Sequence, residues 1–91
     1  MSKKFAILTR DRQSEALRMA LGLLLLDDQA EVFLLERPLA EDDETQSQYK
    51  NCLEMDLTVH SNFASAAEGM SLSPEELAQR LTQFDQILPL L

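Results

Sequence analysis

Two short, largely apolar runs flanking a longer stretch with helical spacing constrain this chain more than any other feature. Phe5-Ala6-Ile7-Leu8-Thr9 ends in a polar turn, and Ala30-Glu31-Val32-Phe33-Leu34-Leu35 resumes the apolar texture. A strand covered on both faces reads as such a run, because no side of it alternates toward water. Between them, over residues 12–27, Leu17, Ala20, Leu21 and Leu24 recur at three- and four-residue spacing, with Gln13, Glu15 and Arg18 on other faces. This spacing predicts a helix. Its surplus leucines, Leu23, Leu25 and Leu26, predict burial on more than one side. Strand, helix and strand together form a βαβ unit with a right-handed crossover, which makes the two strands parallel.

The remainder extends the same pattern. Residues 36–44, with Pro38 and the acidic Glu41, Asp42, Asp43 and Glu44, read as an exposed loop entering a helix, where carboxylates favour the positive end of the helix dipole. That helix covers residues 44–55 and carries Tyr49, Cys52, Leu53 and Met55. Leu57-Thr58-Val59-His60-Ser61 alternates as a third strand. Residues 62–70 are small and alanine-rich, and suit a short helix or turn closed by Gly69. Ser73-Pro74-Glu75-Glu76 then supplies an N-cap serine, a proline at the first helical position and a capping-box glutamate. The helix it opens presents Leu77, Leu81 and Phe84 and ends near Asp85. Gln86-Ile87-Leu88-Pro89-Leu90-Leu91 reads as a fourth strand, which Pro89 confines to a sheet edge. The expectation is one α/β domain over residues 1–91, built on a mostly parallel four-stranded sheet.

Charge and cysteine content exclude several functions. The formal net charge is −8, from 16 acidic and 8 basic residues, so nucleic-acid phosphates and anionic membranes are repelled on average. The acidity serves solubility or a basic partner. A lone cysteine, Cys52, rules out an intrachain disulfide and a thiolate zinc site, and fits a reducing, cytoplasmic setting. The apolar run behind Met1-Ser2-Lys3-Lys4 is too short for a signal-peptide core, and residues 16–26, broken by Arg18, are too few to span a bilayer. A chain of 91 residues buries only about 60 to 65% of its unfolded surface, so part of its apolar area is left for another subunit. An oligomer is expected.

The order of these elements, from the leucine-rich helix through Glu31-Val32-Phe33-Leu34-Leu35, a polar excursion, Leu57-Thr58-Val59-His60-Ser61, a turn ending in Gly69-Met70 and a final Asp85-Gln86-Ile87-Leu88, resembles the DsrE/DsrF/DsrH family of sulfur-relay proteins over nearly the whole chain. The resemblance implies a flavodoxin-like three-layer fold and assembly into homo- or hetero-oligomers with sulfur-relay proteins. In active members it also implies a persulfide-carrying cysteine just past a central strand. Matched to this chain, that loop falls on residues 61–69, which hold no cysteine; Asn62 and Ser65 stand nearest the thiol position. The implied function is that of a non-catalytic or partner subunit in intracellular sulfur trafficking.

Three groups of residues carry the remaining chemistry. Cys52 is the sole thiol nucleophile and defines an alternative, a sulfurtransferase with its persulfide at a non-family position; the other reading is a small packed side chain. His60, beside the presumed functional loop, can serve as acid, base or ligand, or be a surface or interface strand residue. Arg10, Arg12 and Ser14 follow the first strand, where open α/β sheets bind ligands, and define a third reading, a small anion- or nucleotide-binding module. That turn lacks glycine and includes Asp11, so a solvated turn capped by Asp11 or Ser14 competes with it. No metal site and no cofactor are called for.

Overall fold

The apolar runs pair with one another directly. In a computed structural model describing residues 3–62 and 72–91, β1 (Lys4–Thr9) lies parallel to β2 (Gln29–Leu34), with Phe5 beside Ala30 and Ile7 beside Val32. Then β2 pairs in parallel with β3 (Thr58–Ser61), and β1 with β4 (Gln86–Leu90). The four-stranded sheet has the order β3-β2-β1-β4 and every pairing is parallel. Its winding direction therefore reverses between β1 and β4. As Pro89 requires, β4 is an edge strand. The architecture is the α/β fold expected from the element order, three-layered and flavodoxin-like as the resemblance implies, with a sheet that is wholly rather than mostly parallel.

Two helices cover one face. The small residues Ala16 and Ala20, with Leu17, let α1 (Gln13–Leu25) sit close on Phe5, Ile7, Val32 and Leu34. Beside it, α2 (Asp43–Glu54) contributes Cys52 to the same core. Asp42 caps α2, accepting the Thr45 N–H at 2.9 Å. Both helices close alike. In α1 the N–H groups of Asp27 and Asp28 return to the carbonyls of Leu24 and Leu23; in α2 those of Asp56 and Leu57 return to Leu53 and Cys52. The left-handed residue of each closure is an aspartate, Asp27 (φ 66°) and Asp56 (φ 58°), where glycine is usual.

This closure corrects the sequence reading of the first helix. It ends at Leu25 instead of Asp27, and the chain turns away before Leu25 and Leu26 can reach the core. Both are exposed, while Leu21, Leu23 and Leu24 are half-buried, so the helix is not buried on several sides.

The opposite face carries α3 (Pro74–Leu81), which starts with the complete capping box: Ser73 Oγ accepts the Glu76 N–H at 3.2 Å and Glu76 accepts the Ser73 N–H at 3.1 Å. It ends at Leu81, earlier than Asp85, so Phe84 belongs to the turn after it. No residue of α3 is fully buried. Asp85 then fastens the start of β4, its carboxylate accepting the Lys4 N–H at 2.7 Å while its own N–H donates to the Lys4 carbonyl. The helix or turn expected over residues 62–70 lies, beyond Asn62, outside the described residues. Ser73→Ala is expected to lower the unfolding free energy by about 1 kcal/mol, the usual cost of an N-cap hydroxyl, measured by urea denaturation.

Candidate functional site

Parallel strands bring the turns after β1, β2 and β3 to one edge of the sheet, where ligands of open α/β folds gather. Two ion pairs join the first two turns there. Arg10 meets Glu36 at 3.2 Å, and Arg37 meets Asp11 at 3.1 Å. Glu36 adopts the left-handed conformation (φ 65°) and donates its N–H to Asn62 Oδ1 at 2.7 Å, which ties the end of β3 to the same cluster. Beneath them the buried Gln13 acts as a bracket. Its amide nitrogen donates to the carbonyls of Arg10 and Pro38, and its oxygen accepts the Ala40 N–H at 2.8 Å.

The expected anion turn is thus occupied by the protein's own carboxylates. Arg10 is held by Glu36 and Arg12 by Glu15, one helical turn along. Half-buried Ser14 lies in the first turn of α1 but does not cap it, and neither does Asp11; the N-cap is Arg12, which makes no side-chain capping bond. At the end of β1, Thr9 is buried, and its hydroxyl has no hydrogen-bond partner among the described residues.

His60 leads to a second cluster, on the face toward α3. It is 7% exposed, not a surface residue, because the parallel register sets it beside Phe33, whose ring stacks on the imidazole at 4.8 Å between centroids. The edge of Phe84 meets Phe33 at 5.7 Å, and Lys4 Nζ lies 5.0 Å from the centre of the Phe84 ring. Next to this stack is the carboxylate of Glu31, 8% exposed, which Arg80 of α3 grips with both Nε (2.9 Å) and a terminal nitrogen (3.0 Å). His60 Nε2 lies 2.6 Å from the same carboxylate.

Burial alone would raise the Glu31 pKa. The bonds from His60 and Arg80 outweigh it and hold the carboxyl down to about 2, against an ordinary 4.5. An ionised carboxylate only accepts, so His60 Nε2 carries the shared proton. The reading of residue types singled out neither Glu31 nor Arg80. A charge inside an otherwise apolar strand was the available signal, since a buried carboxylate requires a cation.

Cys52 lies in the core between α1 and α2, where its thiol donates to the Leu17 carbonyl at 3.7 Å. Burial pushes its pKa up to about 11. A reactive thiolate needs exposure and nearby positive charge, and this setting offers neither. Ser65 lies outside the described residues. Among the described residues no group of His, Cys, Asp and Glu side chains is arranged to hold a metal, and no helix is long and apolar enough to cross a membrane. No family model, no curated protein and no solved structure matches the chain.

The Glu31 cluster sets a pH dependence. A carboxyl whose folded pKa lies below its unfolded value stabilises the fold fully above the unfolded value and loses that contribution as pH falls through the folded one. The stability gap between the parent and Glu31→Gln should therefore stay constant above pH 4.5, narrow toward pH 2 and vanish below it. Urea titrations across that range test this. At neutral pH Arg80→Gln should cost about 2 kcal/mol, the value of charged hydrogen bonds to a buried carboxylate.

Proposed function

We propose that the chain is a DsrE-like partner subunit, without a catalytic thiol of its own, that works in a cytoplasmic oligomer connected with sulfur trafficking. The observation that carries this reading is the position of its only sulfur nucleophile. Cys52 is sealed between two helices, and residues 61–69, which the resemblance aligns with the persulfide loop, contain no cysteine. The three-layer parallel fold agrees with the family's expected architecture. The ion pairs and the Asn62 bond give the carboxyl edge a fixed polar surface, suited to meeting another protein rather than to covalent chemistry. The edge strand β4, with Ile87 exposed and Leu91 exposed just beyond it, offers an uncharged apolar surface for assembly.

Two measurements test the reading. Incubated with a persulfidated donor protein, the folded chain should gain no sulfur atom by intact mass, and Cys52 should alkylate far more slowly than free cysteine. Stable sulfur on Cys52 would reverse the reading to a transfer enzyme. Sedimentation equilibrium should show a dimer or larger species at about 10 to 100 µM, the range in which a standard-sized interface is populated. A monomer throughout would remove the oligomer from the proposal.

A further inference from the structure

At the amino edge of the sheet, opposite the ion-paired turns, α1 and α2 end side by side. Their ends carry four exposed large apolar side chains, including the two most exposed of the described residues: Leu25 (77%), Leu26 (74%), Leu53 (51%) and Met55 (52%). Between the two ends opens a cleft of about 190 Å³, lined by Leu24 from α1, Asp56 and Leu57 after α2, Ala30 and Glu31 of β2, and Lys4. Carboxylates stand at the same helix ends, exposed at Asp27, Glu54 and Asp56 and half-buried at Asp28.

The charge balance of this edge is one-sided. Four of the five arginines are paired with carboxylates elsewhere and Arg80 is spent on Glu31 at the wall of the cleft, while none of Asp27, Asp28, Glu54 and Asp56 is in an ion pair among the described residues. Neither α1 nor α2 has a basic residue in its last turn, so two negative helix ends point the same way as the acids. Three lysines lie near: Lys4 Nζ is turned to the Phe84 ring, Lys3 meets Asp28 through its backbone N–H at 3.0 Å, and Lys50 stands four residues before Glu54 on α2; none forms an ion pair with these acids among the described residues. A contiguous apolar patch rimmed by charge of one sign is the form of a docking site whose partner brings the opposite sign.

We infer that this amino edge is a docking surface for a basic amphipathic segment of another protein. Apolar residues of that segment cover Leu25, Leu26, Leu53 and Met55, and its lysines or arginines meet the four carboxylates, Asp56 among them at the mouth of the cleft. A second copy of this chain is a poorer occupant, because it would set the same acids against one another. The surface is independent of the sulfur reading and lies at the opposite end of the strands from Ser61 and Asn62.

The test is an NMR titration of the isotope-labelled protein with a synthetic leucine/lysine helical peptide, with two controls: a leucine/glutamate peptide, and a peptide of the same leucine/lysine composition whose leucines do not share a face. The expected result is saturable binding of the first peptide alone, with shifts concentrated in residues 23–29 and 53–58. Affinity should fall about ten-fold or more in Leu25→Ser/Leu26→Ser, and similarly in Asp27→Asn/Asp56→Asn, as for losses at the centre of an interface. Leu25 and Leu26 are exposed, so the first variant should keep the parent's melting temperature. Absence of binding, equal binding of the scrambled peptide, shifts centred on the acidic residues 41–44, or affinity unchanged in both variants would overturn the proposal. So would sedimentation showing that Leu25→Ser/Leu26→Ser dissolves a homo-oligomer, which would give the surface to a second copy.

Discussion

Glu31 stands on a central strand with its carboxylate turned toward α3, and taking such a charge out of water costs several kcal/mol unless it is fully paired. Arg80 and His60 supply the pairing from two other elements. Arg80 sits in the last turn of α3, where a cation also favours the helix dipole, so one side chain serves both helix and sheet. α3 buries no residue completely, so among the described residues this contact and Phe84 just beyond its end join the half-buried Leu77 and Leu81 in attaching it to the sheet.

The other face works by different means. There α1 approaches closely because Ala16 and Ala20 are small, and burial of Phe5, Ile7, Leu17, Val32 and Leu34 supplies the drive, at roughly 25 cal/mol per Å² of apolar surface removed from water. Cys52 completes that packing, and the helix contact that stabilises the fold also withdraws the only thiol from solvent. The two faces therefore differ in their response to conditions. Acid weakens the α3 face through the buried Glu31, whereas the α1 and α2 face has no comparable ionised group in its core cluster and feels acid only through exposed carboxylates such as the α2 cap Asp42, held low by its bonds to Thr45.

What was legible in the sequence was local. The strands are short apolar runs, the β4 edge position follows from Pro89, and the α3 start is written in Ser73, Pro74 and Glu76. The end of α1 was misjudged because leucine spacing continues past Leu25, while the turn is made by an aspartate in the left-handed conformation instead of the usual glycine. The burial of His60, read from sequence as a possible acid, base or ligand or as a surface or interface residue, is not legible because alternation in β3 does not say that α3 returns to cover the polar side. Glu31, His60 and Arg80 come from three elements and meet only through strand register and the return of the chain across the sheet. The pairing of Arg10 with Glu36 is hidden for the same reason: it joins turns that are remote in sequence.

The two edges of the sheet follow from where the chain places its few cations. With twice as many acids as bases, every arginine used in one place leaves carboxylates without a counterion in another. Arg10 and Arg37 lie in the turns after β1 and β2, so the carboxyl edge is cross-linked and its backbone turns are fixed. Arg18 joins α1 to the first turn of α2 through Glu44, on the same side of the molecule, and Arg80 is committed to the sheet face. Nothing comparable reaches the ends of α1 and α2, where acids, helix dipoles and exposed leucines coincide. A rigid carboxyl edge and an open, acidic, apolar amino edge are therefore two results of one distribution of charge.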